Sequence, residues 1–391
     1  MNFDEPKDWR GTGSTKWDAM AGLLGRDDPD AIPMWVASMD FPAADFLLDR
    51  ARAVIDQGYL SYFIGTERMF EATARWQHDR HGWAADPATM FAVHGLGNGI
   101  AVTLQALTEP GDGVIVFSPV YHEFRNKIER NGRVVVESPL SIDADGLFRM
   151  DLDALEASLT GTEKLVLISQ PHNPAGRIWT AEELRALGAL CDRHDLVLVS
   201  DEIHQDLVMP GLSHVPAASA LAGADRRLVV MGAASKTFNI AGLRTGWVAI
   251  PDPDLRARFA RLHRALDIQP NRIGMELTAA AYSDEGAAWV DDLRRYLDGN
   301  RALFCDGVNA IPGLRAMPMQ GTYLAWVDYS GTGMSREEID RRVKGVAKLC
   351  PTPGPALGRG GELCDRFNIG TRRALVSEAL DRLRDAFGDL Q

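Results

Sequence analysis

The chain has 391 residues, of which 46% are hydrophobic and 25% are charged, as in an ordinary globular protein with room for two domains. Its formal net charge of -12 argues against binding to nucleic acid, because contacts to phosphates along a duplex need a basic face. No apolar run approaches the ~20 residues of a membrane span, so no membrane partner is expected. The first eight residues contain no apolar signal core, which predicts a cytoplasmic location.

The cysteines and histidines give no sign of a metal site. None of the four cysteines forms a Cys-x-x-Cys pair, and the nine histidines are scattered without a His-Glu-x-x-His pattern. The sequence therefore predicts reduced thiols and no bound metal.

Five apolar runs, each followed by polar residues, are the main pattern of the first two thirds of the chain. The runs are residues 91–93, 114–118, 165–169, 196–200 and 227–232. Their β-branched residues and leucines indicate strands buried on both faces, hence a parallel sheet covered by helices. Helical segments alternate with the runs, as in an α/β fold. Because ligands of such sheets bind outside the carboxyl ends of the strands, we expect the polar residues to meet at one edge.

The polar residues that follow the runs suit a phosphorylated aldehyde cofactor. In chain order they are Gly95-Leu96-Gly97, Tyr121, Asn173, Asp201 with His204, and Ser235 with Lys236. A glycine-rich loop before a helix lets backbone N–H groups approach a phosphate. A lysine at the end of a buried strand can hold an aldehyde as a Schiff base, while Ser235 and Arg244 hold the phosphate.

The remaining elements form helices and then a smaller unit. Thr180 and Glu183 read as a capping box that opens a helix over 180–194, and helical periodicity runs through 253–310. From Leu314 on the pattern predicts a smaller α+β unit. Its predicted elements are a strand at 322–327, a helix at 334–347, a Gly/Pro-rich loop at 351–361 and a closing helix from about residue 374.

The segment Ala-Ser-Lys-Thr-Phe-Asn-Ile-Ala-Gly-Leu-Arg-Thr-Gly-Trp (234–247) resembles the pyridoxal phosphate lysine motif of the class I/II aminotransferases, or fold type I. The resemblance extends over essentially the whole chain. It implies an α/β fold whose large domain has a mostly parallel central sheet, together with a smaller α+β domain. We expect residues 48–290 to form the large domain, and residues 1–47 with 291–391 to form the small one. It also implies pyridoxal 5'-phosphate as cofactor and an amino acid as substrate.

The resemblance assigns roles around the cofactor ring. Lys236 would hold the cofactor and, once freed, move the substrate α-proton. Asp201 would keep the pyridine nitrogen protonated, which makes the ring an electron sink. The amide of Asn173, in an Asn-Pro-Ala-Gly run, would donate to the phenolate oxygen, and Tyr121 would stack on the ring. His204 stands where typical aminotransferases have a tyrosine that supports the phenolate oxygen.

Other residues match the family's phosphate and substrate contacts. The loop Gly95-Leu96-Gly97 would complete a phosphate cup with Ser235 and Arg244. Tyr62 resembles a tyrosine that reaches the phosphate of the neighbouring subunit, which implies a homodimer; its other interpretation is a core or interface aromatic. Arg366, in Asp-Arg-Phe-Asn-Ile-Gly-Thr-Arg-Arg, is similar to the arginine that clamps the substrate α-carboxylate, and we expect Ala37 to lie against the substrate.

Several segments are similar to one branch of the superfamily, the cystathionine β-lyases and C–S lyases. They include residues 13–18, 32–41, 75–83, 201–207, 235–243 and 321–328. His204 also follows that branch. The usual sequence of the branch differs at four places, which are Ser38, His122-Glu123, Leu357-Gly358 and Gly246-Trp247. The resemblance implies a C–S β-lyase that converts cystathionine or an S-substituted cysteine to thiol, pyruvate and ammonia. An aminotransferase that uses 2-oxo acids is the alternative. A regulator that acts through protein contact is a third interpretation.

Overall fold

The computed structural model describes residues 2–25, 28–223 and 226–390. The strands in this part of the chain are β1 (Ile32–Met34), β2 (Met90–Val93), β3 (Gly113–Ser118), β4 (Val134–Pro139), β5 (Ser141–Ile142), β6 (Phe148–Arg149), β7 (Glu163–Ser169), β8 (Val197–Asp201), β9 (Leu228–Gly232), β10 (Gly246–Ala249), β11 (Arg315–Ala316), β12 (Leu324–Asp328), β13 (Leu349–Pro353) and β14 (Cys364–Asn368).

Helices lie between and around these strands. They are α1 (Thr15–Asp18), α2 (Met20–Leu24), α3 (Asp45–Asp56), α4 (Thr66–His81), α5 (Leu96–Leu107), α6 (His122–Arg130), α7 (Leu152–Ser158), α8 (Ala181–Arg193), α9 (Ala217–Ala220), α10 (Pro253–Ala265), α11 (Arg272–Ala281), α12 (Asp284–Asn309), α13 (Arg336–Asp340) and α14 (Arg373–Ala386). None of the helices that the structure describes is long and apolar enough to cross a membrane.

Seven of these described strands form the central sheet, in the order β2-β10-β9-β8-β7-β3-β4. All its neighbouring strands run parallel except β10, which is antiparallel to both β9 and β2. Successive side chains of β3 fill opposite faces, since Ile115 and Phe117 belong to one hydrophobic cluster and Val114 and Val116 to another. The sheet is therefore covered on both faces, and the predicted α/β fold with a mostly parallel central sheet is confirmed.

The carboxyl ends of five strands meet at one edge of this sheet. Strands β3, β7, β8 and β9 are mutually parallel, and β2 points the same way because β10 is antiparallel to both β2 and β9. Strand β10 enters from this same edge, where Gly246 pairs with Val93 at the end of β2. The loops after the five apolar runs are therefore brought together as the sequence predicted.

A second sheet has the order β1-β13-β14-β12-β11. Its core includes Phe367 of β14, packed with Phe304 and Val308 of α12 and with Val376 and Leu380 of α14. Strand β1 comes from the start of the chain and the other four strands from its end. The expected domain division stays a prediction, and its boundary at residue 290 lies within α12.

Three predictions for the last third of the chain were inaccurate. Residues 351–353 belong to β13 rather than to a loop, because Leu349–Pro351 pair with β1 and Thr352–Pro353 with β14, so two prolines fit without a continuous ladder on either side. The predicted helix over 334–347 begins two residues later and widens to a π-type turn at Arg341–Val346. The strand predicted at 322–327 runs from Leu324 to Asp328 instead.

The predicted helix over 180–194 has the expected start. The Thr180 hydroxyl accepts a hydrogen bond from the Glu183 N–H at 3.2 Å, and the Glu183 carboxylate accepts one from the Thr180 N–H at 2.8 Å. This reciprocal capping box satisfies two N–H groups that the first turn of α8 would otherwise leave unpaired. The four cysteines are free and buried, and Cys191 lies in α8.

Gly176 gives a test of how closely the loop after β7 packs on the segment before β12. Its φ is +68°, and a Cβ atom there would lie 2.1 Å from the carbonyl oxygen of Gly321. Gly211 has a φ of +83° but nothing within 4 Å of an added Cβ. We expect Gly211→Ala to lower the free energy of unfolding by about 1 kcal/mol through the left-handed backbone alone. Gly176→Ala should cost about 3 kcal/mol, because a steric clash is added. If urea unfolding shows that the two variants lose the same free energy of unfolding, Gly176 does not approach the Gly321 carbonyl as closely as described.

Candidate active site

A cavity of about 170 Å³ lies at the carboxyl edge of the central sheet. Most of the site residues proposed from the sequence line it. They are Ala37, Leu96, Gly97, Tyr121, Asn173, Asp201, His204, Lys236 and Arg244. Residues far apart in the chain thus meet around one small space, with a lysine, a carboxylate and an arginine among them.

The other proposed residues lie beside the cavity or apart from it. A Cβ atom on Gly95, which has a φ of +75°, would lie 3.9 Å from Cα of Arg244, so this glycine adjoins the wall. Ser235 is half-buried directly before Lys236. Arg366 is buried behind Asn173. Tyr62 is 98% exposed and is not part of the wall formed by its own chain.

Lys236 reaches the cavity from the loop after β9. Its Nζ donates a hydrogen bond to the carbonyl oxygen of Ala37 at 2.6 Å, and the same oxygen accepts one from the Tyr323 hydroxyl at 3.0 Å. Burial lowers the pKa of Lys236 to about 8; the nearby Arg366 and Arg244 also lower it, whereas Asp201 raises it. A substantial fraction of the amine is therefore neutral near pH 7 to 8, the form that can accept a proton.

Asp201 is the last residue of β8 and is buried against the cavity. Its Oδ1 accepts a hydrogen bond from the N–H of Ile203 at 3.1 Å. Burial raises the pKa of this carboxyl to about 7, although the Ile203 N–H and the charge of Lys236 act in the opposite direction. Among the described residues no cationic side chain is hydrogen-bonded to it. A cationic partner placed in the cavity would therefore favour the ionised carboxylate.

Arg366, on β14, presents a buried guanidinium behind the cavity wall. Its Nη1 donates to Oδ1 of Asn173 at 2.9 Å, and its Nη2 donates to the carbonyl of Trp35 at 2.7 Å and to the Thr352 hydroxyl at 2.9 Å. Within the described chain its Nε has no hydrogen-bond partner. Burial lowers the pKa of Arg366 to about 10, so the group is still charged at neutral pH. A buried guanidinium with an unused donor and neutral partners suits an anionic ligand.

The side chains of His204 and Tyr121 complete the cavity wall. Burial lowers the pKa of His204 to about 3, with Lys236 and Arg366 adding to the effect, so its ring is neutral. Its Nδ1 finds no hydrogen-bond partner in the part of the chain that the structure describes. The backbone N–H of Tyr121 donates to the carbonyl of Asn173 at 3.1 Å, which fixes the tyrosine beside that amide.

The first turn of α5 and Arg244 form a further part of the cavity wall. Leu96 and Gly97 begin the helix, and N–H groups in a first helical turn have no partner within the helix. Arg244 adjoins this turn with a φ of +50° and an exposed side chain. A helix N-terminus next to an arginine is an arrangement that binds phosphate groups.

Comparison with known proteins places this geometry in a family. A profile of aminotransferase class I and II matches residues 55–382. The chain belongs to the class I and II aminotransferase family. Cystathionine beta-lyase PatB of Bacillus subtilis is 37% identical over 99% of this chain and 100% of its own length. Cystalysin from Treponema denticola, solved with pyridoxal 5'-phosphate, is 30% identical with a TM-score of 0.94 over 100% of this chain and 99% of its own. The PLP-bound C–S lyase from Staphylococcus hominis is 29% identical with a TM-score of 0.91, covering 99% of this chain and 98% of its own.

This family member also contains a buried network that sequence reasoning did not find. The Asp206 carboxylate accepts hydrogen bonds from Trp76 Nε1 at 2.8 Å and from the Thr237 hydroxyl at 3.1 Å, and it lies 2.9 Å from Nε2 of His81. Because Thr237 follows Lys236, the network ties the lysine loop to the segment that carries Asp201. The only signal was the position of Asp206 in the run Asp-Glu-Ile-His-Gln-Asp-Leu.

Asn239 is a second residue that the sequence did not single out. Its Nδ2 donates to the carbonyls of Met39 at 2.9 Å and Phe41 at 2.7 Å, and its Oδ1 accepts from the Met39 N–H at 3.0 Å. These bonds fasten the segment that contains Ala37 to the loop that contains Lys236. The hydrogen bonds of Asn239 therefore hold in place both chain segments that form the contact between Lys236 and the Ala37 carbonyl.

The electrostatics of Lys236 can be tested in the cofactor-free protein. Arg366→Gln should raise the pKa of Lys236 above about 8, because it removes a neighbouring positive charge, and Asp201→Asn should lower it, because it removes a carboxylate. The pH dependence of Lys236 acetylation, followed by peptide mass spectrometry, measures both shifts. Arg372→Gln, outside the cavity, is the control. Shifts of the same sign in the two variants would reject this account.

Proposed function

We propose that the protein is a pyridoxal 5'-phosphate-dependent C–S β-lyase that releases thiol, pyruvate and ammonia from cystathionine or an S-substituted cysteine. The observation that carries the proposal is the cavity in which Lys236, Asp201 and Asn173 meet, with the buried Arg366 bonded to Asn173 behind the cavity wall. Full-length similarity to a relative named cystathionine beta-lyase favours elimination among the reactions that such a cavity can support.

The donor and acceptor groups of the cavity fit this cofactor. Asp201 offers a buried carboxylate that lacks a cationic hydrogen-bond partner among the described residues, which suits a protonated ring nitrogen. The first turn of α5 and Arg244 suit a phosphate. The bound cofactor would supply an electron sink for the substrate carbanion.

Lys236 is the proposed base. Its Nζ would take the α-proton of the substrate, and its lowered pKa keeps part of the population ready to accept that proton. Asp201 would keep the proton on the ring nitrogen. Asn173 Oδ1 already accepts from Arg366, so its Nδ2 is left to donate to the phenolate oxygen, with the neutral ring of His204 close by. Tyr121 would stack on the cofactor ring.

Arg366 is the proposed clamp for the substrate α-carboxylate. Its hydrogen-bond acceptors are neutral oxygens, so a bound carboxylate would supply the negative charge that balances this guanidinium. Ala37 would line the substrate side of the cavity through the carbonyl that Lys236 contacts. Ser235, Arg244 and the loop Gly95-Leu96-Gly97 are the proposed phosphate contacts.

The reaction itself is the main test. Given cystathionine and no 2-oxo acid, the holoenzyme should release pyruvate, ammonia and thiol over many turnovers, because elimination regenerates the cofactor. Product analysis by coupled assays and mass spectrometry measures this, with Lys236→Ala as the inactive control. Turnover that appears only after a 2-oxo acid is added would replace the lyase with an aminotransferase, which uses the same proton transfer.

A homodimer completes the proposal. Residues Tyr59 to Ile64 form an apolar surface segment, in which Tyr62 is 98% and Ile64 is 91% exposed in the single chain. Arg244 and Gly97, at the phosphate end of the cavity, are exposed as well. Both surfaces would be covered if this segment of one subunit lay over the cavity of its partner.

A cytoplasmic location, expected from the sequence, stays a prediction.

The dimer can be tested with two variants of the exposed segment. Ile64→Asp should weaken the dimer, because it places a charge in an apolar contact, and should weaken cofactor binding with it. Tyr62→Phe should leave the dimer intact and weaken cofactor binding through loss of one hydroxyl. Light scattering after size exclusion measures the first effect and cofactor titration the second. A wild-type monomer that binds the cofactor tightly would contradict the proposal.

A further inference from the structure

A second cation lies at the phosphate end of the cavity. Lys127, in the second turn of α6, lines the cavity together with Gly97 and Arg244. A Cβ atom on Gly97 would lie 3.2 Å from Cε of Lys127 and 4.0 Å from its Nζ. The lysine side chain, which is 24% exposed, is therefore packed against the first turn of α5, where the phosphate is proposed to bind.

Lys127 is held by a neighbour on its own helix. Its Nζ donates to Glu123 Oε2 at 2.9 Å, and Asn126 Nδ2 donates to Glu123 Oε1 at 2.7 Å. Burial opposes ionisation of Glu123, but the hydrogen bonds from Lys127 and Asn126 outweigh it and lower the pKa of that carboxyl. The pair is neutral as a whole, and the ammonium group keeps donors for a further acceptor.

The single positive charge of Arg244 does not balance the negative charge of the phosphate. A phosphate monoester carries about -1.5 to -2 charges at pH 7. The loop Gly-Leu-Gly-Asn-Gly (95–99) has neither a hydroxyl nor a cationic side chain. Lys236 is committed to the reacting end of the cofactor in the proposed function. Of the described residues that line the cavity, Arg244 and Lys127 are then the cations that remain for the phosphate.

We propose that Lys127 is a further phosphate-binding residue of the cofactor site. Its flexible four-carbon stem lets the ammonium group turn from Glu123 towards an anion at the α5 N-terminus, as a mobile point charge. Glu123 keeps Lys127 beside the cavity, but it competes with the phosphate for the ammonium group of that lysine. This inference rests on the proposed function, since it assumes pyridoxal phosphate as the ligand.

Because Glu123 and the phosphate compete for Lys127, substitutions of Glu123 and of Lys127 should affect cofactor binding differently. Cofactor-free protein is titrated with pyridoxal phosphate, and the visible absorbance of the bound cofactor gives the dissociation constant. Lys127→Met should raise this constant about tenfold or more, because a charge-assisted contact is lost. Glu123→Gln should leave it unchanged or lower it, because the lysine is released for the phosphate. Lys164→Met, which removes an equal charge from the exposed end of β7, should have no effect.

Pyridoxal, which lacks the phosphate, is the second ligand of the experiment. Lys127→Met should bind pyridoxal as the wild-type protein does, because the lost contact is to the phosphate alone. Lys127→Gln provides the same comparison if the methionine variant does not fold, as judged by circular dichroism. The inference is overturned if Lys127 variants bind pyridoxal phosphate normally, if they lose pyridoxal equally, or if Glu123→Gln weakens binding as much as Lys127→Met. Failure of the wild-type protein to bind pyridoxal phosphate would instead overturn the proposed function.

Discussion

The parallel arrangement of β3, β7, β8 and β9 is the constraint on which the cavity depends. Parallel strands end at the same edge, so one loop from each strand must meet the others there. Tyr121, Asn173, Asp201 and Lys236 each follow or end one of these strands. The antiparallel strand β10 adds Arg244 from the opposite chain direction, since it enters where β2 ends. The site thus needs no long loop to assemble its central groups.

Burial then sets the chemistry of the charged groups that the sheet has collected. It lowers the pKa of Lys236 and of Arg366 and raises that of Asp201, so each group is pushed towards its neutral form. For Lys236 this shift produces a base near neutral pH. For Asp201 the shift works against the ionised state that a ring-nitrogen partner would need. A cationic ring placed beside Asp201 would reverse that shift, so the carboxylate and the cofactor would stabilise each other's charge.

The elements that could be predicted from the sequence are those whose signal is local. Each apolar run and its polar ending lie within about ten residues, and the Thr180–Glu183 capping box spans one turn. Contacts across the chain could not be predicted in this way. Lys236 and Ala37 are separated by 199 residues, and His81 and Asp206 by 125. Strand β13 was missed partly for the same reason, because Leu349–Pro351 pair with β1 at the other end of the chain, and partly because its two prolines are unusual in a strand.

Three of the residues that depart from the lyase branch lie next to residues of the cavity wall or of the lysine loop. Ser38 contacts Asn239 through its hydroxyl at 3.2 Å, and the carbonyl of Leu357 accepts from the Val120 N–H at 2.7 Å, directly before Tyr121. His122 follows Tyr121 with a buried Nδ1 that has no partner among the described residues. In the proposed function, proton removal by Lys236 would be common to lyases and aminotransferases, and we expect the surroundings of the leaving group to decide between the two reactions. We therefore expect these departures to bear on which substrate enters, whereas the proposed roles of Lys236 and Asp201 would be shared across the family.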